Sequence, residues 1–334
     1  MKKILISRTD SIGDAMLTLP MVGYLKEQFP GVEIYFLGRN YTRPIVECCS
    51  NIDHFVSWDV IGSYDFSNQV QEFEKLDLDA VVHVFPNKEV AKAMNVAKVP
   101  LRIGTSHRTF HWLTCNKLVH FTRKNSPLHE SQLNFQLLKP LIPNPSFDLE
   151  KMYELSGFHA PAKHPEVDLL IDKSKLNIIL HPKSKGSARE WGFENFTRLI
   201  QLLPSEKYNI ILTGTEEEGK LFREFLVDPF PNVCDATGRV SLIQLISLIA
   251  HADALVACST GPLHLASALG INTFGIYPPI RPMHPGRWSP IGPKSKVFVK
   301  DVECSNCRKE ENCTCITEID PLEVAEEMFE IFGR

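Results

Sequence analysis

Asp14 ends a heptapeptide of polar and acidic residues, Arg8–Asp14 (RTDSIGD), in which Gly13 permits a tight turn. A carboxylate at such a turn can accept the proton of an attacking hydroxyl group, which is general-base chemistry. The alternative is that Asp14 only caps the helix that follows it, because Asp is common at helix N-termini. Asp10 is open to the same two interpretations. The GxGxxG fingerprint of dinucleotide-binding turns is absent here, which disfavours a nicotinamide dehydrogenase.

A second polar loop, His181–Trp191 (HPKSKGSAREW), is rich in cations and hydroxyl groups. Side chains of this kind bind phosphate, and a guanidinium can do so through two parallel hydrogen bonds. A solvated basic loop without a ligand is the alternative interpretation. The candidate phosphate ligands are Lys183, Ser184, Lys185, Ser187 and Arg189.

Two further loops could complete a nucleotide site. Thr213–Glu218 (TGTEEE) offers Glu217 as an acceptor for ribose hydroxyls, although acidic residues are also favoured in the first turn of a helix. Ser259–His264 (STGPLH) opens a predicted helix, where free N–H groups and the positive end of the dipole suit a pyrophosphate. The candidate ligands there are Ser259, Thr260, Gly261, Pro262 and His264. A half-buried structural role explains His264 equally well.

The stretch from Leu101 to His129 contains no Asp or Glu. Such a surface could meet acceptor phosphates or an anionic membrane, and an ordinary basic loop face is the alternative. Its cations include Arg102, Arg108, Lys117 and Arg123, with Phe110, Trp112 and Phe121 between them.

Four cysteines lie close together late in the sequence, with the spacing Cys304-x₂-Cys307-x₅-Cys313-x-Cys315. Four thiolates can hold a structural zinc ion in tetrahedral geometry. The spacing differs from the usual CxxC…CxxC arrangement, so free thiols or redox pairing are the alternative. We expect no catalytic role for this cluster.

Alternating strand and helix signals place these loops just after strands. In the N-terminal half, strands are predicted at Lys3–Ser7, Val32–Leu37, Asp79–Phe85, Leu101–Gly104 and Leu118–His120, and helices at Ala15–Gln28, Val90–Ala97 and Leu133–Leu141. In the C-terminal half, strands are predicted at Asn177–His181, Asn209–Thr213, Val233–Asp235, Ala254–Ala257 and Thr273–Ile276, and helices at Glu194–Leu203, Glu216–Leu226, Leu242–Ala250, Leu263–Leu269 and Pro321–Phe332, the last capped by Asp320.

This alternation predicts an α/β protein with two Rossmann-like, doubly wound parallel-sheet domains that face each other across a cleft. We expect the domains to cover residues 1–156 and 166–334, joined by the polar, Pro-containing linker 157–165. In parallel sheets the ligand lies beyond the carboxyl ends of the strands, which is where all four loops fall.

The overall composition excludes several classes of protein. A length of 334 residues suits two domains, and a net charge of −4 gives no reason to expect a nucleic-acid partner. No segment has the roughly 18 apolar residues that cross a bilayer, and the N-terminal apolar run is shorter than that of a secretory signal. We therefore expect a cytoplasmic protein whose nine cysteines are thiols or metal ligands.

Taken in order, these loops resemble glycosyltransferase family 9, the bacterial ADP-heptose:lipopolysaccharide heptosyltransferases. The resemblance covers nearly the whole chain. The segments that carry it are KILISRTDSIGDAMLTLPMVGYLKEQFPGVEIYFL, ILHPKSKGSAREW, NIILTGTEEE, DATGRVSLIQLISLIAHADALVA, STGPLHLASALG and YPPIRPMHPGRWSPIG.

The resemblance implies a GT-B fold, with the acceptor in the N-terminal domain and the nucleotide-sugar donor in the C-terminal domain. It implies inverting transfer of heptose from ADP-heptose, without a metal cofactor, onto a lipid-linked glycan of the lipopolysaccharide core, with peripheral contact to the inner membrane. Asp14 matches the presumed general base of the family. Arg189 matches a lysine that family members carry before a tryptophan in the phosphate loop, which is Trp191 here. The expected acceptor-binding residues are Asp10, Ser11, Gly13, Arg102, Arg108, Lys117 and Arg123.

One position departs from the family pattern. Heptosyltransferases commonly have Asp-Thr-Gly where this chain has Ser259-Thr260-Gly261, and the Asp is thought to contact the donor sugar. A different nucleotide-sugar donor, a nucleotide-sugar epimerase and a non-catalytic nucleotide-sugar-binding protein therefore stay open as alternatives.

Overall fold

The computed structural model describes residues 1–123, 126–145, 148–280, 283–302 and 314–333. The chain divides into two units, Met1–His159 and Ala160–Arg334. The division falls inside the stretch 157–165 that the sequence predicts as the linker. Each unit is an α/β domain with a six-stranded sheet. Among the described residues, every helix is too short or too polar to cross a membrane.

The first unit is built on a six-stranded sheet. Its strands are β1 (Lys3–Ser7), β2 (Glu33–Gly38), β3 (His54–Ser57), β4 (Ala80–His83), β5 (Leu101–Thr105) and β6 (Lys117–Val119). All pair in parallel, in the order β3-β2-β1-β4-β5-β6, which is the strand order of the Rossmann fold. The central strands are buried on both faces, as expected of a parallel sheet covered by helices.

The helices of the first unit correct two predictions. The helix predicted at Ala15–Gln28 is two helices, because Pro20 in a continuous helix would lack an N–H and clash with the carbonyl of Met16. The helix predicted at Leu133–Leu141 is also wrong, since it ends at Phe135 and a 3₁₀ turn, Gln136–Leu138, follows before Pro140. The observed helices are α1 (Ile12–Met16), α2 (Leu19–Gln28), α3 (Arg43–Glu47), α4 (Trp58–Ile61), α5 (Phe66–Lys75), α6 (Lys88–Val96), α7 (His111–Thr114), α8 (Glu130–Phe135) and α9 (Leu149–Leu155).

The second unit repeats the same topology, with the order β12-β11-β10-β7-β8-β9 and all strands parallel. Its strands are β7 (Leu176–His181), β8 (Tyr208–Leu212), β9 (Val233–Asp235), β10 (Ala254–Cys258), β11 (Asn272–Ile276) and β12 (Ser295–Phe298). Its helices are α10 (Pro165–Asp168), α11 (Phe193–Leu202), α12 (Glu216–Leu226), α13 (Leu242–Ala250), α14 (Gly261–Ala268), α15 (Pro285–Trp288), α16 (Thr314–Thr317) and α17 (Pro321–Phe332). The helix predicted at Pro321–Phe332 is confirmed, with Asp320 accepting from the backbone N of Leu322 at 3.0 Å.

A dense apolar core holds the second unit together. Trp191, Phe196 and Phe222 are fully buried in it, and the rings of Trp191 and Phe196 meet edge to face with centroids 5.0 Å apart. Trp191 Nε1 also donates to the carbonyl of Ile319 at 2.9 Å. The indole therefore fixes the end of the loop 182–191 to the body of the unit.

Candidate functional site

The strand order of each sheet reverses between two neighbouring strands, which are β1 and β4 in the first unit and β7 and β10 in the second. Loops leave such strands in diverging directions and open a crevice beyond their carboxyl ends, where α/β proteins bind ligands. The predicted segments Arg8–Asp14, His181–Trp191 and Ser259–His264 lie at the carboxyl ends of β1, β7 and β10 and run into the helices that follow. The topology therefore places three of the four predicted segments at such crevices, and the fourth, Thr213–Glu218, follows the neighbouring strand β8.

Arg8 is the centre of the polar cluster in the first unit. Its side chain is buried and forms an ion pair with Asp14, while its Nε lies 2.8 Å from Asp10 Oδ1. The carboxylate of Glu130, also buried, lies 3.9 Å from the guanidinium. One buried cation thus faces three carboxylates, from Asp10 in the loop after β1, Asp14 in α1 and Glu130 in α8.

Asp14 is held on both carboxylate oxygens and still reaches solvent. Arg8 contacts Oδ1, and the hydroxyl of Ser11 donates to Oδ2 at 2.6 Å. Ser11 is also the N-cap of α1, and its Oγ accepts from the backbone N of Asp14. The side chain of Asp14 keeps 20% of its surface exposed. Ser11 rather than Asp14 is thus the N-cap of α1, and the role of Asp14 as general base stays a prediction.

Asp10 differs from Asp14 in its environment. Burial raises the pKa of Asp10 to about 7, the nearby Arg8 opposes that rise, and the charge of Asp14 adds to it. Asp10 and Asp14 are almost equally exposed, with 21% and 20% of their side-chain surfaces accessible. Because both carboxylates face one arginine, they repel each other, and a proton on one of them is favoured near neutral pH.

A second layer of contacts ties this cluster to α8. Glu130 pairs with Arg123 at 3.0 Å, and Arg123 Nη2 donates to Asn134 Oδ1 at 2.9 Å. Ser131 and Asn134 both donate to the carbonyl of Leu17 at the end of α1. The sequence analysis missed Arg8, Glu130 and Asn134 as site residues. A charge directly after a buried strand was the available signal for Arg8.

The structure brings together only some of the residues predicted to bind the acceptor. Asp10, Ser11 and Gly13 lie with Asp14 in and after the loop that follows β1. Arg123 lies nearby through its pair with Glu130. Arg102 and Lys117 instead lie at the amino ends of β5 and β6, the opposite edge of the sheet, and Arg102 donates to the carbonyls of Val99 and Thr114. Arg108 is exposed in the loop before α7.

In the second unit, the loop after β7 is organised by Glu190. Lys183 Nζ lies 2.5 Å from Glu190 Oε2, and both the backbone N and the hydroxyl of Ser184 donate to Glu190 Oε1 at 3.0 Å. The sequence has no local signal for this role of Glu190, because its contact with Lys183 spans seven residues of an irregular loop. Glu190 therefore offsets the charge of Lys183.

A tight turn forms the tip of the same loop. Ser187 N and Oγ both donate to the carbonyl of Ser184, and the two residues between them have positive φ, 50° at Lys185 and 77° at Gly186. Glycine adopts this left-handed conformation without a steric penalty. The turn presents the exposed side chain of Lys185 to solvent, while Arg189 is half-buried further along.

The start of α14 has the features of an anion site. Thr260 is its N-cap, 5% exposed, and its buried Oγ1 has no hydrogen-bond partner among the described residues. Gly261 and Pro262 follow as the first helical residues, so the first-turn N–H groups that remain lack intrahelical partners. Buried hydroxyls are normally paired, so this hydroxyl points to a ligand.

Ser259 lies beside a buried tyrosine. The hydroxyl of Tyr277 donates to the carbonyl of Trp288 at 2.6 Å. Tyr277 is fully buried, and burial raises its pKa above the usual value while the neighbouring Ser259 hydroxyl opposes that rise. Ser259 therefore presents a neutral hydroxyl where the family pattern has a carboxylate.

The third predicted loop contains one carboxylate that is not occupied by protein contacts. Glu218 completes the capping box of α12 with Thr215, and Glu216 forms two 2.7 Å hydrogen bonds with Arg223. Glu217 is exposed and makes no hydrogen bond or ion pair within the described ranges. At the end of β7, burial lowers the pKa of His181 to about 4, so the ring is neutral and its Nδ1 lies 3.0 Å from Thr213 Oγ1.

The residues predicted as ligands also include His264 and four cysteines late in the sequence. His264 is buried in α14, directly after the first turn. Cys304, Cys307 and Cys313 lie outside the described residues, and Cys315 is buried in α16. Within the described ranges, no group of three or more His, Cys, Asp or Glu residues is arranged to hold a metal ion.

Comparison with known proteins gives a consistent result. The family model of glycosyltransferase family 9 (heptosyltransferase) matches residues 77–316. A Haemophilus influenzae protein described as a glycosyltransferase is 28% identical to this chain over 306 residues. The match covers 89% of this chain and 88% of that protein.

Solved structures share the fold over the full length. The structure of Escherichia coli ADP-heptose LPS heptosyltransferase II has a TM-score of 0.77 at 18% identity and covers 99% of this chain and 98% of that one. The Escherichia coli heptosyltransferase WaaC, solved with ADP, has a TM-score of 0.71 at 16% identity, covering 98% and 99%. The two Rossmann-like domains described above are those of a GT-B fold, and the chain belongs to glycosyltransferase family 9 and is a glycosyltransferase.

Proposed function

We propose that this glycosyltransferase transfers heptose from ADP-heptose, with inversion, onto a glycan of the lipopolysaccharide core or a related acceptor. The observation that carries the proposal is the carboxylate of Asp14, held by Arg8 and Ser11 and open to solvent beyond the end of β1. The matching family model and the two heptosyltransferase structures of the same fold support the class of donor.

The donor diphosphate is proposed to bind between the loops that follow β7 and β10. The unpartnered hydroxyl of Thr260 and the first N–H groups of α14 would receive phosphate oxygens. Lys183, Lys185 and Arg189 would add positive charge, with Lys183 exchanging part of its contact with Glu190 for the anion. Glu217, exposed at the start of α12, is proposed to accept from the ribose hydroxyls.

The reaction we propose is a single displacement. The acceptor hydroxyl attacks the anomeric carbon opposite the diphosphate, the new C–O bond forms, and the old C–O bond breaks with its electron pair on the leaving diphosphate. Asp14 accepts the proton of the attacking hydroxyl. The cations and N–H groups of the second unit stabilise the charge that develops on the diphosphate. Those groups supply the electrostatic stabilisation that a metal ion provides in other transferases, so we propose that transfer requires no metal.

Ser259 supports a second candidate for the donor. Its side chain carries no charge, so the sugar would meet a neutral group at this position. A carboxylate can accept hydrogen bonds from two sugar hydroxyls, whereas this serine offers fewer acceptor sites. A different nucleotide sugar is therefore the main alternative, and a protein that binds nucleotide sugars without transferring them is the next.

The remaining expectations about partners and cofactors are also proposals. We propose a lipid-linked acceptor and a cytoplasmic location for the reaction. A structural zinc ion at Cys304, Cys307, Cys313 and Cys315 stays a prediction, with free thiols or redox pairing as its alternative.

A thermal-shift panel tests the proposed donor. Melting temperature is measured with ADP, UDP, GDP, CDP, dTDP and ADP-heptose, each with and without EDTA, because a ligand that binds the native state raises it. We expect selective stabilisation by ADP and ADP-heptose that EDTA does not change. Preference for another nucleotide would replace the donor, and a panel without any stabilisation would contradict the proposed function.

A further inference from the structure

The carboxylate of Glu190 is not saturated by its contacts within the loop after β7. Ser184 donates to Oε1 twice, from its backbone N and from its hydroxyl, and Lys183 Nζ lies 2.5 Å from Oε2. A carboxylate can accept about four hydrogen bonds on its two oxygens. Within the described residues, these three donors thus leave an acceptor position on Oε2, and 27% of the side-chain surface is exposed.

Glu190 lies close to the end of β10. Strands β7 and β10 pair in parallel with Ala257 opposite His181, so Ser259 follows β10 beside the start of the loop that Glu190 organises. Burial raises the pKa of the Cys258 thiol, and the charge of Glu190 adds to that rise. The carboxylate therefore lies near enough to act on the residue that precedes Ser259.

The charge of Glu190 does not suit a site that receives a diphosphate alone. Lys183 and the first N–H groups of α14 attract an anion, whereas a carboxylate beside them repels it. A ligand hydroxyl that faces Oε2 changes this balance, because hydrogen bonds to an ionised acceptor are stronger than those to a neutral one. The hydroxyl groups of a sugar are donors of this kind.

The alternative is that Glu190 serves the loop alone. In that role it holds Ser184 and balances the charge of Lys183, and it needs no contact with a ligand. The two roles differ in their consequences for binding. A group that only balances Lys183 affects a nucleotide and a nucleotide sugar alike, whereas a contact with the sugar affects only the nucleotide sugar.

We propose that Glu190 accepts a hydrogen bond from a hydroxyl of the donor sugar and so selects a nucleotide sugar over the bare nucleotide. When Lys183 turns towards the diphosphate, Oε2 becomes free for the sugar, while Ser184 keeps Oε1 in place. The neighbouring Ser259 carries no charge, so Glu190 supplies the carboxylate at this crevice. The inference rests on the proposed function and extends it, because it assigns a residue to the sugar rather than to the phosphates.

Calorimetric titration of the full chain with ADP and, separately, with ADP-heptose tests the proposal without an acceptor. Glu190→Gln keeps the shape of the side chain and an acceptor oxygen for Ser184. Affinity for ADP-heptose should fall roughly tenfold, as for a lost hydrogen bond to a charged group. Affinity for ADP should be unchanged or rise, by up to about threefold, because a negative charge near the phosphates is removed.

Three further variants separate the sugar contact from the charge. Glu194→Gln removes an exposed carboxylate from the first turn of α11 and should leave both affinities unchanged. Glu190→Asp keeps the charge beside Lys183 but shortens the side chain, so only the affinity for ADP-heptose should fall. Ser259→Asp, added to Glu190→Gln, returns a carboxylate to the crevice and should restore part of the preference for ADP-heptose.

Two results would overturn the inference alone, provided that the wild type binds ADP-heptose. They are equal changes in the two affinities of Glu190→Gln, which would make Glu190 only the charge partner of Lys183, and no change in either affinity. Failure of the wild type to bind ADP-heptose would instead overturn the proposed function, and the inference with it. Glu190→Asp and Glu190→Gln alter the loop differently, so if one variant does not fold, the other decides.

Discussion

The two units have the same strand order but opposite chemistry at their switch points. In the first unit, the loop after β1 and helix α8 gather Asp10, Asp14 and Glu130 around the buried Arg8. In the second, the loops after β7 and β10 carry cations at the rim and the unpartnered Thr260 hydroxyl at a helix start. The fold provides the same switch point in both, and the loop residues differ; we propose that they suit proton transfer in the first unit and phosphate binding in the second.

Of the substitutions considered, Asp14→Asn should have the largest effect on turnover. The amide keeps the shape and the hydrogen bond from Ser11 but cannot take the proton of the acceptor, so turnover should fall about 100-fold or more. We propose that the donor binds to the other unit, so the increase in melting temperature caused by ADP should stay the same. Turnover is measured with saturating donor and acceptor, and near-normal turnover would reject Asp14 as the base.

Asp10 allows the acidic cluster to be examined through stability. Its folded-state pKa of about 7 lies above the value near 4 of an unfolded chain. Its contribution to stability is therefore fully present below pH 4 and is lost as the pH rises through 7, by at most about 4 kcal/mol. Asp10→Asn mimics the protonated form, so the free energy of unfolding should decline less between pH 5 and pH 8 than it does in the wild type.

Chemical denaturation at both pH values measures this difference. The exposed Asp228 of the second unit serves as the control, because Asp228→Asn should leave the wild-type pH dependence intact. An equal decline in Asp10→Asn and the wild type would mean that Asp10 is ionised throughout, and that Arg8 outweighs the burial of Asp10.

The fold was accessible from the sequence because its signals are local. Apolar runs such as Lys3–Ser7 and Ala254–Ala257 identify buried parallel strands, and the loops between them carry the motifs. Helix α5 was missed although Asp65 caps it through the backbone N of Asn68, since its polar residues outnumber its buried ones. Propensity and periodicity are weak where only Val70 and Phe73 reach the core.

The site was less accessible because its decisive contacts join distant residues. Arg8 and Glu130 are more than 100 positions apart, and Ser259 reaches Tyr277 only after β10 and β11 pair. Lys183 was predicted as a cation available to phosphate, whereas Glu190 already neutralises it. Charge in a sequence is visible, but its partner is decided by the tertiary fold.

Thr260→Val tests the phosphate contact that we propose in the second unit. Valine has nearly the same shape as threonine and removes a hydroxyl that has no partner in the part of the chain that is described, so stability should be unchanged or slightly higher. If this hydroxyl awaits a phosphate oxygen, affinity for ADP should fall roughly tenfold, as for a lost hydrogen bond to a charged group. Calorimetric titration with ADP measures this.

Thr273→Val supplies the matched case, because Thr273 is equally buried but its hydroxyl donates to the carbonyl of Ile271 at 3.0 Å. Its loss should cost about 1 kcal/mol of stability and leave ADP affinity unchanged. The two valine variants should thus show opposite patterns, one losing affinity and the other losing stability. If Thr260→Val loses stability and keeps its affinity, the hydroxyl serves the fold, and the phosphate site must be sought in the loop after β7 alone.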